Sequence, residues 1–128
     1  IAGAAAERRT ADDVSQLPAA LADFRSVDGM IEARALDRRL HGLVTATARN
    51  PHLTSLSAHL TAAATLGFGA EPYAPEFLGR ARAEHEELVG HITRGDADAA
   101  GRSAQAHFSL TLESMRSSLR RAGATRAE

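Results

Sequence analysis

Residues 30–51, MIEARALDRRLHGLVTATARNP, decide the fold. Leu36, Leu40, Leu43 and Val44 recur at spacings of three and four, which puts them on one face of an α-helix. Nothing in the stretch alternates as a strand would. Asn50-Pro51 then ends this helix and starts the next, with Asn as N-cap and Pro at the first helical position, where its missing N–H costs nothing. A long amphipathic helix closed by a stop that is also a restart predicts an antiparallel helical hairpin.

Outward from that hairpin the same periodicity repeats. Thr10 and Asp13 have the spacing of a capping box and open a helix to about Ser26, with a kink expected at Pro18. Val27 to Gly29 is a turn. Beyond Pro51 the helix is expected to end near Gly67 and Gly69, and a loop holding Pro72 and Pro75 leads into a helix from about Pro75 to Arg94. Gly95 closes that helix, Asp96 opens the last one, and the last one reaches about Arg121. Ile1 to Arg9 reads as the end of a further helix. The expected fold is therefore all-α, an antiparallel bundle of about six helices, with residues 1–128 forming one domain around one core.

Composition narrows the chemistry. The chain has no cysteine, so thiolate metal sites, disulfides and cysteine nucleophiles are excluded, and any metal must use imidazole and oxygen. A formal charge of -1 gives no footprint for gripping nucleic acid. All 15 basic residues are arginine, a bias that fits GC-rich, alanine-rich coding better than phosphate recognition. No apolar run approaches the roughly 20 residues that span a bilayer, and Ile1 to Arg9 lacks the order of a signal peptide. A cytoplasmic protein without a membrane partner is expected.

The short connections at Asn50 and Gly95-Asp96 make the flanking helices antiparallel neighbours, which allows heights to be compared. At 1.5 Å per residue, His41 stands about 13 Å from the Asn50 turn. The next helix climbs back about 25 Å and the one after descends, bringing His85 near the level of His41. His85 and His107 lie at similar distances on either side of Gly95-Asp96, so three histidines on three helices share one layer. Asp37 precedes His41 by one turn and stacks on the same face. An isolated Asp-x-x-x-His is ordinarily an exposed pair, and an isolated inward histidine is ordinarily a hydrogen-bonded core residue. Here His85 falls within the stripe Leu78, Ala81, Leu88, Val89 and Ile92, and His107 lies beside Ala100, Ala104, Thr111 and Met115. Three imidazoles and a carboxylate in one layer suit a divalent ion: zinc is the leading expectation, with nickel, manganese, cobalt or ferrous iron as alternatives.

The remaining polar residues divide by helical position. His91 and His52 are expected in solvent, as are Glu84 and Glu86. His59 lies near the layer but to one side of the stripe Leu53, Leu56 and Leu60, which suggests the edge of a pocket. Arg34 and Arg38 share the side of the helix that carries His41, and Arg82 stands one turn before His85. Each could grip the carboxylate of a bound anion, although an arginine at such a position is more often an ordinary surface residue.

The run Asp37-Arg-Arg-Leu-His41, then Ala48-Arg49-Asn50-Pro51, Glu84-His85-Glu86-Glu87-Leu88, Gly95-Asp96 and Ala106-His107-Phe108 resembles the FCD domain, the C-terminal domain of FadR-like GntR regulators. The resemblance covers nearly the whole chain in order and spacing. It implies an antiparallel bundle in which Asp37, His41, His85 and His107 hold a divalent ion. It also implies a homodimeric regulator that meets DNA through an N-terminal winged helix-turn-helix domain outside this chain. A first effector-domain helix, able to supply an effector-binding arginine, would likewise lie outside it. Leu40 stands where the family usually has an aromatic residue, and Arg49 where it usually has glycine.

The leading functional expectation is thus a sensor in which the ion anchors a small organic acid and binding shifts the bundle between two states. An enzyme is the second reading, since such a metal can activate water, but no inward general base is clearly placed, with His59 and Glu84 as the nearest candidates. A structural metal in a dimerisation module is the third.

Overall fold

A computed structural model of the chain describes residues 1–65 and 74–125. The helix end expected at Gly67 and Gly69 and the loop at Pro72 lie outside the described residues. Within them the chain forms α1 (Ala2–Arg8), α2 (Ala11–Ser26), α3 (Met30–Thr47), α4 (Pro51–Thr65), α5 (Pro75–Arg94) and α6 (Ala97–Thr125). The fold is an all-α bundle, as expected, and none of these helices is long and apolar enough to cross a membrane.

Local chemistry sets the helix ends. The Thr10 hydroxyl accepts from the Asp13 amide while Asp13 Oδ2 accepts from the Thr10 amide at 2.7 Å, a complete capping box. Asn50 Oδ1 accepts from the amides of His52 and Leu53, and Asp96 Oδ1 accepts from that of Ala99 at 2.9 Å. Gly95 ends α5 in the left-handed region at φ +79°, and a Cβ there would come within 2.5 Å of the Arg9 guanidinium. α2 runs on through Pro18, on its exposed side, where water can satisfy the carbonyl that proline leaves without a donor.

Arg49 occupies the left-handed region at φ +45°, a conformation that favours glycine. Its side chain offsets that cost. The guanidinium pairs with Asp13 Oδ2 at 2.7 Å, reaches the Thr10 hydroxyl, and donates to the carbonyls of Arg8 and Thr47. Burial opposes ionisation of Asp13, but the Thr10 hydrogen bonds and Arg49 outweigh it and hold the carboxyl below its ordinary value.

α1 is fastened by the same kind of bond. Arg8 donates to the Ala48 carbonyl at the end of α3, and Arg9 to the Thr93 carbonyl in the last turn of α5, each at 2.9 Å. Both satisfy carbonyls that a helix end leaves without an amide. Ala2, Ala5 and Ala6 complete the contact by lying flat in the core.

Among the described residues the core has two apolar parts. Leu17, Leu21, Leu40, Val44, Leu88 and Ile92 belong to one, and Phe24, Ala33, Leu78, Ala81 and Leu110 to the other. Between them along the helices lies a polar layer: Asp37 falls between Ala33 and Leu40, His85 between Ala81 and Leu88, and His107 between Ala100 and Leu110. α4 returns along α3, with Thr45 and Ser57 hydroxyls 3.5 Å apart across the hairpin. Of its apolar stripe, Leu53 is half-buried while Leu56 and Leu60 are exposed.

Candidate metal centre

α3, α5 and α6 bring Asp37, His41, His85 and His107 together, with one possible ligand atom from each lying within 4.8 Å of all the others. His85 Nε2 stands 3.2 Å from His41 Nε2 and 3.0 Å from His107 Nε2. Asp37 Oδ1 is 3.5 Å from His85 Nε2 and 3.7 Å from His41 Nε2. Four ligands held at 2.0–2.1 Å from one tetrahedral ion would be separated by about 3.3 Å, which these distances bracket. Phe24 meets the His85 ring edge-on at 5.0 Å, and the His41 and His107 rings stack at 5.2 Å.

The donor set matches a cation better than it matches itself. A ring nitrogen carries at most one proton, so His85 Nε2 cannot bond well to both neighbours at once. Asp37 Oδ1 and His85 Nδ1 are buried without any hydrogen-bond partner. A buried carboxylate oxygen with no donor costs several kcal/mol or so unless something positive meets it. Burial of His85, reinforced by His41 and His107, lowers its pKa to about 2, so the ring stays neutral. Burial also lowers that of His41, with Asp37 opposing and His107 adding to the effect. Because 41 % of the His41 side chain is exposed, solvent tempers that shift. His41 is thus the ligand candidate through which the layer opens to water.

Glu84 requires a correction. Expected in solvent, it is mostly buried, and its Oε2 accepts from His107 Nδ1 at 2.8 Å while Oε1 accepts from Arg80 Nε at 2.7 Å. The sequence carried a signal for this: Glu84 lies three residues after Ala81 and four before Leu88, both buried. Glu86 is exposed and pairs with Arg25.

The other candidates stand on α3, α4 and α5. His59 and His52 are exposed on α4. Arg34 is half-buried and Arg38 exposed on α3. Arg82 Nη2 donates to the Val27 carbonyl, while its buried Nε has no partner. His91 Nδ1 faces Arg94 Nη2 at 3.0 Å. An open pocket of about 380 Å³ at the α2–α3 turn is lined by Asp23, Asp28 and Glu32 among others, a poor receptor for an anion, and none of the four cluster residues lines it.

The family model described as the FCD domain matches residues 1–110, which include all four residues of the cluster. No curated protein matches the chain.

Proposed function

The chain belongs to the FCD family, the effector-binding regulatory domains of GntR-type transcription regulators, and from that premise we propose that it is a metal-dependent sensor of a small organic acid. The observation that supports the reading is the convergence of three imidazole nitrogens on a buried, unpartnered Asp37 oxygen. Asp37, His41, His85 and His107 would hold one divalent ion, zinc first among the candidates. When bound, such an ion supplies a Lewis-acidic point to which a carboxylate can attach. The protein's part is to fix four ligands from three helices, keep water from the His85 side, and leave the His41 side open. Arg34 and Arg38, on the same helix as His41, are the candidates for gripping the acid, with Arg82 Nε as a third donor.

Because the ligands come from three different helices, occupancy of the layer is coupled to how α3, α5 and α6 sit against one another. In the parent regulator, a homodimer on this reading, the signal passes to an N-terminal winged helix-turn-helix domain that contacts DNA. A net charge of -1 suits a domain that leaves DNA contact to another.

Metal analysis of protein purified without chelator should find about one divalent ion per chain, and His85→Ala should remove it. Metal-loaded protein should then bind one member of a panel of dicarboxylates, sugar acids and amino acids in a calorimetric titration. Arg34→Ala and Arg38→Ala should weaken that binding without lowering metal content. Wild-type protein that takes up no divalent ion would end the metal reading, and steady turnover of a panel member would favour an enzyme.

A further inference from the structure

We propose that Glu84, braced by Arg80, is the positioning residue of the cluster: it fixes His107 as the Nδ1–H tautomer and so aims a bare Nε2 at the other ligands. The proposal rests on the metal reading above, but its first test does not. A carboxylate can only accept, so the 2.8 Å contact between Glu84 Oε2 and His107 Nδ1 makes Nδ1 the donor. A neutral imidazole with its proton on Nδ1 presents a lone pair at Nε2, the atom 3.0 Å from His85 Nε2. Glu84 has little freedom to do otherwise. Its second oxygen is held by Arg80 Nε at 2.7 Å, and Arg80 Nη1 is held in turn by Glu113 Oε2 at 3.0 Å. His85 differs: its Nδ1 is buried without a partner, so no group on the side away from the cluster fixes its tautomer. A carboxylate behind one ligand also raises that ligand's basicity, which strengthens its hold on a cation. The chain from Arg80 through Glu84 to His107 joins α5 to α6 at the level of the cluster.

Nitrogen NMR of the metal-free protein, above the ordinary histidine pKa range, reads the tautomer directly. Wild type should show His107 with its proton on Nδ1, and Glu84→Ala should abolish that fixed state. Glu84→Gln, whose amide oxygen can still accept, should retain it in part. Zinc titration against a competing chromophoric chelator should give affinities roughly ten- to a hundredfold weaker for Glu84→Ala, with Glu84→Gln between it and wild type and stoichiometry unchanged. Arg80→Met should cost less than Glu84→Ala. Finding the His107 proton on Nε2 in wild type overturns the proposal even if neither variant folds, as does an unchanged tautomer or zinc affinity in a folded Glu84→Ala. A wild-type protein with His107 fixed on Nδ1 but no uptake of zinc or any other divalent ion would refute the metal reading instead.

Discussion

Acid should destabilise the metal-free protein through His85 by an amount the structure allows to be worked out. The ring has no exposed surface, and its surroundings lower its pKa from 6.5 to about 2. The folded value lies below the unfolded one, so the unfolded chain takes up a proton that the folded chain refuses. Stability from this site is complete above the unfolded value and is lost as pH falls from there toward the folded value. Within that window each pH unit costs about 1.4 kcal/mol, so lowering the pH from 7 to 5 should cost about 2 kcal/mol. The result does not depend on how low the folded value lies, only on His85 remaining neutral at pH 5. Urea unfolding at both pH values, in the presence of chelator, measures the loss. His85→Leu removes the titrating group while keeping an apolar side chain between the two halves of the core, and other groups cancel to first order. The wild type should lose about 2 kcal/mol more than the variant. Equal losses would refute the reasoning, as would a His85 ring found protonated at pH 5 in the folded protein.

A bound divalent ion should raise stability by mass action, about 4 kcal/mol at a thousandfold excess over its dissociation constant, so chelation should lower Tm at neutral pH and matter less in acid. An identical melting curve after stripping metal from loaded protein would place the ion elsewhere. Gly95→Ala should cost about 1–2 kcal/mol by denaturant titration, because its left-handed backbone penalises a Cβ that would also displace Arg9. Arg49→Ala should destabilise more than Arg49→Gly, by about 1 kcal/mol, since alanine keeps the left-handed cost without the guanidinium bonds that offset it. Equal stability of those two variants would show that the φ of +45° carries no penalty.

Much of this arrangement was legible because it depends on local rules. Thr10 with Asp13, Asn50 with Pro51, and Gly95 with Asp96 are signals a few residues long, and each fell where a helix begins or ends. Once those ends are fixed, the rise per residue places His41, His85 and His107 at one height without knowledge of packing. Rotation about a helix axis is harder. Glu84 sits beside His85 in sequence, and whether it meets solvent or α6 depends on a few tens of degrees in how α5 is turned, which apolar periodicity only brackets. Its burial could have been read from Ala81 and Leu88 on either side, but its partner could not, since His107 lies on another helix. α4 shows the opposite limit. Leu53, Leu56 and Leu60 correctly mark one face as apolar, yet periodicity does not reveal what lies over it, and Leu56 and Leu60 stand exposed. His59, expected at the edge of a pocket, is likewise exposed on that helix.

The arginine bonds of α1 give the domain a mechanical property. Arg8 is moored to the end of α3 and Arg9 to the end of α5, so a force applied to α1 bears on two rods at once, near their tips. Helices are stiff over such lengths, and the cluster sits partway along the same rods, with Asp37 and His41 on one and Glu84 and His85 on the other. A tug on α1 would therefore arrive at the cluster as a change in the gap between His41 and His85 instead of being absorbed in a loop. Conversely, drawing those two rings together would tilt the seats on which α1 rests.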